Sequence, residues 1–147
     1  MAKEDVQKLR EETGAGVMDC KKALEDAGGD FEKAKGLINE RGLLKADKKS
    51  ERATGAGILE TYIHSGRVGV LLELRCETDF AAHSQPMKDL AHELVMHIAA
   101  MNPESNEALL AQPFIKDESQ TIENIIKLTT AKVGENIKVG RFTRYAL

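Results

Sequence analysis

The spacing of apolar residues changes once along this chain, and that change limits the folds open to it. Before residue 43 the apolar positions recur every three or four residues, the period of a helix buried on one face. Val6 and Leu9 form a first stripe, closed by Thr13-Gly14-Ala15-Gly16. Val17, Cys20, Leu24 and Ala27 form a second, closed by Gly28-Gly29. Asp30 suits an N-cap for a third helix with the stripe Phe31, Ala34, Leu37 and Ile38, and Gly42 is a plausible stop. From Ile58 onward the period is two. The expected class is therefore α+β: a three-helix bundle over 1–44, a polar linker over 45–56, and a core over 57–147 made of a small antiparallel sheet with packed helices. A bundle of about 42 residues can hold only a marginal core, which suits a docking handle better than a catalyst.

The core reads element by element. Ile58 to His64 is one strand, Ser65-Gly66 a two-residue hairpin turn, and Arg67 to Glu77 a second strand. Val68, Val70, Leu72, Leu74 and Cys76 fall on its inward face, while Leu71 puts an apolar side chain outward. A helix follows, with Pro86 in its first turn, a face of Met87, Leu90, Ala91, Leu94, Val95 and Ile98, and an end at Asn102-Pro103. Met96 lies on the opposite side, near His92 and Ala100. Ser119 is a candidate N-cap for a last helix with Ile122, Ile125, Ile126, Thr129 and Val133 inward and Gly134 at its stop. Residues 136–145 close the chain as an extended segment. Three strands leave two edges and an open face, and with Leu71 and Met96 this favours a homo-oligomer.

Composition excludes several function classes. Charged residues make up 31% of the chain and its net charge is −3, with bases and acids interleaved. The densest basic stretch, KADKKSER from Lys45 to Arg52, carries two acids and reads as a solvated helix end. Four Phe and two Tyr supply no stacking platform, so no direct nucleic-acid contact is expected. No apolar run approaches the roughly 18–20 residues of a membrane span, and the N-terminus is charged and helix-like, so a cytoplasmic protein is expected. Cys20 and Cys76 form no CxxC pair and fall on apolar faces. The two GAG triplets lack a strand-turn-helix setting, and there is no GxxxxGKS or GxxxxGKT loop. Asp89, Glu93 and His97 share a helix stripe without a fourth ligand, and His83 could serve Cys76 as a base only if its loop folded back on its own strand. No catalytic constellation, metal site or cofactor is expected.

One stretch resists this bland description. Glu73 to Ser84, ELRCETDFAAHS, leaves the second strand on an acid–threonine–acid–phenylalanine run. Counting by two places Thr78 and Phe80 in the inward register, which would make Phe80 a plug in the chain's own core. Asp79 beside it, and Ala81-Ala82 too small to pack around a ring, argue against that.

LREETGAGVMDCKKAL (Leu9 to Leu24) and ELRCETDFAA (Glu73 to Ala82) resemble the two signature stretches of the elongation factor Ts family. YIHSGRVGVLLEL, HELVMHIAAMNP, QPFIKD and AKVGENI are similar to further segments in the family's order. The resemblance implies a guanine-nucleotide exchange factor for elongation factor Tu, without covalent chemistry of its own. Its N-terminal module would be similar to a ubiquitin-associated domain and dock through Arg10, Val17, Met18 and Lys21. Thr78, Asp79 and Phe80 would form an intruding tip, with Phe80 entering an apolar pocket of the GTPase; His97 is a further contact implied by the match. Arg75 and His83 depart from the family pattern, where asparagine and a basic residue are usual. The stretch between Pro103 and Gln112 is short, like that of forms with a single core lobe that pair as homodimers. A non-catalytic adaptor, binding a partner through the helical head alone, is the alternative.

Overall fold

A computed structural model of the chain describes residues 2–147. Its helical part is α1 (Lys3–Thr13), α2 (Val17–Asp26) and α3 (Phe31–Lys49). Gly14 ends α1 in the left-handed region at φ 72°, and Asp30 caps α3 by accepting from the Lys33 amide at 3.0 Å. Leu9, Cys20, Ala23, Leu24, Ala27 and Ala34 make the small core of this bundle. Val17, the first residue of α2, lies outside that core, 47% exposed.

Gly42 does not stop α3. The helix runs seven residues further, to Lys49, so the expected linker begins as helix and only residues 50–55 connect it to the sheet. The glycine serves close approach instead: a Cβ there would stand 3.3 Å from the Ala131 Cβ of the last helix. An ion pair between Lys127 and Asp47 at 2.9 Å lies beside this contact. The head is thus packed on the core along the second half of α3.

Strands β1 (Ala56–His64) and β2 (Val68–Cys76) form an antiparallel hairpin. Ser65 and Gly66 both take positive φ, and the Arg67 amide closes the turn on the His64 carbonyl at 3.0 Å. Pairing begins at His64 with Val68, so Arg67 belongs to a three-residue connection rather than to the strand. Strand β5 (Lys138–Ala146) pairs on the other side of β2, giving the order β1-β2-β5. Helix α5 (Gln85–Met101) covers the inner face with the stripe read from the sequence, all of it buried, and Asn102 ends it at φ 46°. Helix α7 (Ile122–Val133) packs on α5 and α3.

Its N-cap is Thr121, whose hydroxyl accepts from the Asn124 amide at 3.1 Å, and not Ser119. Ser119 lies in β4 (Asp117–Thr121), which pairs with β3 (Pro113–Phe114) in a second, two-stranded sheet. Two short helices complete the fold, α4 (Asp79–Ala82) and α6 (Asn106–Ala111). Neither they nor the small hairpin shows enough period to be read from sequence. Among the described residues, no helix is long and apolar enough to cross a membrane.

Candidate functional site

The inward register of β2 ends at Cys76. Had the strand continued, Thr78 and Phe80 would have entered the core. Instead Thr78 caps α4, its hydroxyl accepting from the Ala81 amide at 3.2 Å. Successive residues then turn by about 100° instead of 180°. The result reverses the sides that counting by two assigns: Ala81 and Ala82 are buried, and Phe80 is 90% exposed. The tip Thr78-Asp79-Phe80 stands wholly on the surface.

A four-residue helix has too few internal hydrogen bonds to hold itself. Both of its ends are secured from outside. The His83 ring Nδ1 lies 2.8 Å from the Asp79 carbonyl, and the Ser84 hydroxyl donates to the Ala81 carbonyl at 2.7 Å. At the entry, Glu135 from the α7–β5 loop accepts from the amides of Glu77 (3.0 Å) and Thr78 (2.8 Å) through Oε1. Its Oε2 accepts from the Thr78 hydroxyl at 2.7 Å. Glu77 returns the favour, its carboxylate accepting from the Asn136 amide at 2.9 Å. The Asn136 side chain donates to the carbonyls of Ser50 (3.2 Å) and Arg52 (2.7 Å), just past α3. Glu77, Glu135 and Asn136 were not singled out from the sequence. The only sequence signal was a polar Gly-Glu-Asn stop after α7, whose partners lie 57 or more residues away.

On the head, Met18 is 71% exposed, and Arg10, Val17 and Lys21 are also at the surface. Val17 and Lys21 share a face of α2 at i, i+4. His97 is different. It is fully buried, with Nε2 2.8 Å from the Gln112 Oε1 and Nδ1 accepting from the Ile115 amide at 3.3 Å. Burial pushes its pKa below the usual histidine value. The fold therefore brings Thr78, Asp79 and Phe80 together and displays the four head residues, while His97 offers a partner no surface. Its work is to fasten α5 to the β3 hairpin.

Arg75 and Glu73 point to the outer face of the sheet, with Arg141 donating to Glu73 through both its side chain and its backbone amide. These bonds hold the Glu73 carboxyl at about 2, and Arg75 adds to the effect. The same face exposes Leu59, Ile63, Leu71 and Tyr145 in neighbouring rows around Gly69.

The surface thus carries a bare aromatic side chain on a secured tip and, on the helical head, exposed apolar and basic side chains. The chain matches the family model described as elongation factor TS over residues 4–107. It is 39% identical over 188 residues to elongation factor Ts of Coprothermobacter proteolyticus, covering 97% of this chain and 95% of that protein. Identity to the chloroplastic elongation factor Ts of Cyanidioschyzon merolae is 42% over 194 residues, covering 99% and 93%. Elongation factor Ts of Aquifex aeolicus is 44% identical over 148 residues, covering 97% of this chain and 51% of that one. The chain belongs to the elongation factor Ts family, a family of translation elongation factors. The first two alignments are longer than this chain's 147 residues, so those relatives carry internal residues that it lacks.

Proposed function

We propose that the chain is a guanine-nucleotide exchange factor for elongation factor Tu, acting without covalent chemistry and without a cofactor. The helical head, through Arg10, Val17, Met18 and Lys21, supplies affinity. The Thr78-Asp79-Phe80 tip enters the GTPase and loosens its hold on magnesium and phosphate. The observation that carries this is the 90% exposure of Phe80 on a short helix fixed at both ends. An aromatic left in water and yet held in place is preorganised for a pocket elsewhere.

The energetics are of the right size. A nucleotide bound at nanomolar strength is held by about 12 kcal/mol. Speeding its release about a thousandfold needs about 4 kcal/mol of preference for the loosened state over the closed one. A buried aromatic anchor contributes about 2 kcal/mol or more. Phe80 accounts for much of the preference, and the rest falls to Asp79 and the head. Linkage makes the effect mutual, so bound nucleotide also weakens the factor's grip.

The outer sheet face supports pairing with a second copy. Leu59 and Ile63 are about two-thirds exposed, and Leu71 and Tyr145 continue them across all three strands. Such a face is self-complementary about a two-fold axis, its apolar rows meeting each other with Glu73, Arg75 and Arg141 at the margin. A homodimer would restore a larger core to a chain shorter than its relatives.

Catalytic amounts of the protein are expected to accelerate release of a fluorescent guanine nucleotide from elongation factor Tu. Binding to the GTPase with unchanged release would instead make the chain an adaptor held by its head.

A further inference from the structure

We propose that Glu135 is a positioning residue for the exchange tip, and that its carboxylate keeps Phe80 in the pose that enters the GTPase. The inference rests on the exchange reading and extends it to a residue outside the tip. Phe80 makes too little contact with its own protein to be ordered by packing. Its direction is set by the backbone of α4, and that backbone depends on the Thr78 cap. A hydroxyl can accept from Ala81 in a fixed direction only if its proton is committed elsewhere. Glu135 Oε2 takes that proton at 2.7 Å. Oε1 meanwhile gathers the two amides that β2 leaves unpaired where pairing ends, those of Glu77 and Thr78. Three bonds to one carboxylate define where the strand stops and where the helix begins.

The carboxylate is itself anchored. Gly134 ends α7 at φ 81°, turning the chain so that Glu135 faces β2, and Asn136 beside it is buried and bound at both its backbone and its side chain. Through Asn136 the same loop grips the Ser50 and Arg52 carbonyls where the head's long helix leaves. Tip, loop and head exit form one connected network, and Glu135 is its link to the tip.

The test is Glu135→Gln in the full-length chain, with Glu135→Asp as a milder variant should the first lower the melting temperature. The glutamine cannot accept the Thr78 proton on its amide nitrogen. Maximal nucleotide release is expected to fall about tenfold, the half-saturating concentration to change less than about twofold. In a Phe80→Ala background the substitution should cost nothing more, because there is no ring left to aim. The chain has no tryptophan, so Phe80→Trp reports on the tip alone. Fluorescence anisotropy of that indole should show added fast motion with Glu135→Gln. Unchanged release with unchanged anisotropy would overturn the proposal, as would an equal loss in the Phe80→Ala background, the mark of a general structural role. If the unaltered chain releases no nucleotide, the exchange reading fails; the anisotropy still decides whether Glu135 holds the tip.

Discussion

Two buried or bonded titratable groups tie stability to pH in the same direction. His97 has its pKa lowered chiefly by burial, against an opposing pull from its bond to Gln112. The unfolded chain takes up a proton near 6.5, before the folded chain does. The neutral imidazole's contribution is therefore complete above that pH and is lost as pH falls through 6.5 toward the folded value. Urea unfolding at pH 7.5, 6.5 and 5.5 is expected to show a falling midpoint, with a shallower fall for His97→Gln. Glu73 acts at lower pH. Its folded pKa of about 2 lies under the ordinary 4.5 because Arg141 bonds to it, so its contribution is present above 4.5 and disappears as pH drops through about 2. Glu73→Gln should lower stability at neutral pH and flatten its acid limb below pH 5, so that the two chains converge as pH approaches 2.

At the scale of elements, α3 contains a paired test. Gly42 sits against α7, whereas a Cβ on Gly36 would meet nothing within 4 Å. Gly36→Ala is expected to stabilise by about 0.5–1 kcal/mol through lost chain freedom in the unfolded state. Gly42→Leu should cost about 1–3 kcal/mol by forcing α3 off α7, with denaturant midpoints distinguishing the signs. That contrast explains what could be read from sequence. Long periodic elements such as β2 and α5 declare their buried faces, since five and six apolar residues repeat the same period. A glycine does not say whether it ends a helix or lets another helix approach, because that depends on Ala131, nearly ninety positions away. The tip residues were legible as an anomaly, a lone aromatic beside an acid at a strand end. Their orientation was read two ways, because alternation carried the count past Cys76 into the core while Asp79 and the small Ala81-Ala82 argued for the surface; the Thr78 cap and Glu135 are what stop the count. His97 illustrates the reverse case: matching a family segment placed it at the interface, and the β3 hairpin covers it.

At the scale of the whole molecule, two surfaces stand exposed, the outer sheet face and the tip. The outer sheet face should pair copies of the chain, and sedimentation velocity is expected to give a dimer that Ile63→Lys converts to a folded monomer. A monomer for the unaltered chain would remove the pairing proposal without touching the tip. The tip is a separate matter, because the α3–α7 contact and the Asn136 bonds join it to the head within a single copy. The decisive measurement compares the unaltered chain with Phe80→Ala in stimulating guanine-nucleotide release from elongation factor Tu, with melting curves recorded alongside. Insertion of the ring predicts a loss of about thirtyfold or more in release, the equivalent of a 2 kcal/mol anchor, with an unchanged melting temperature. Full release by the folded variant would contradict it.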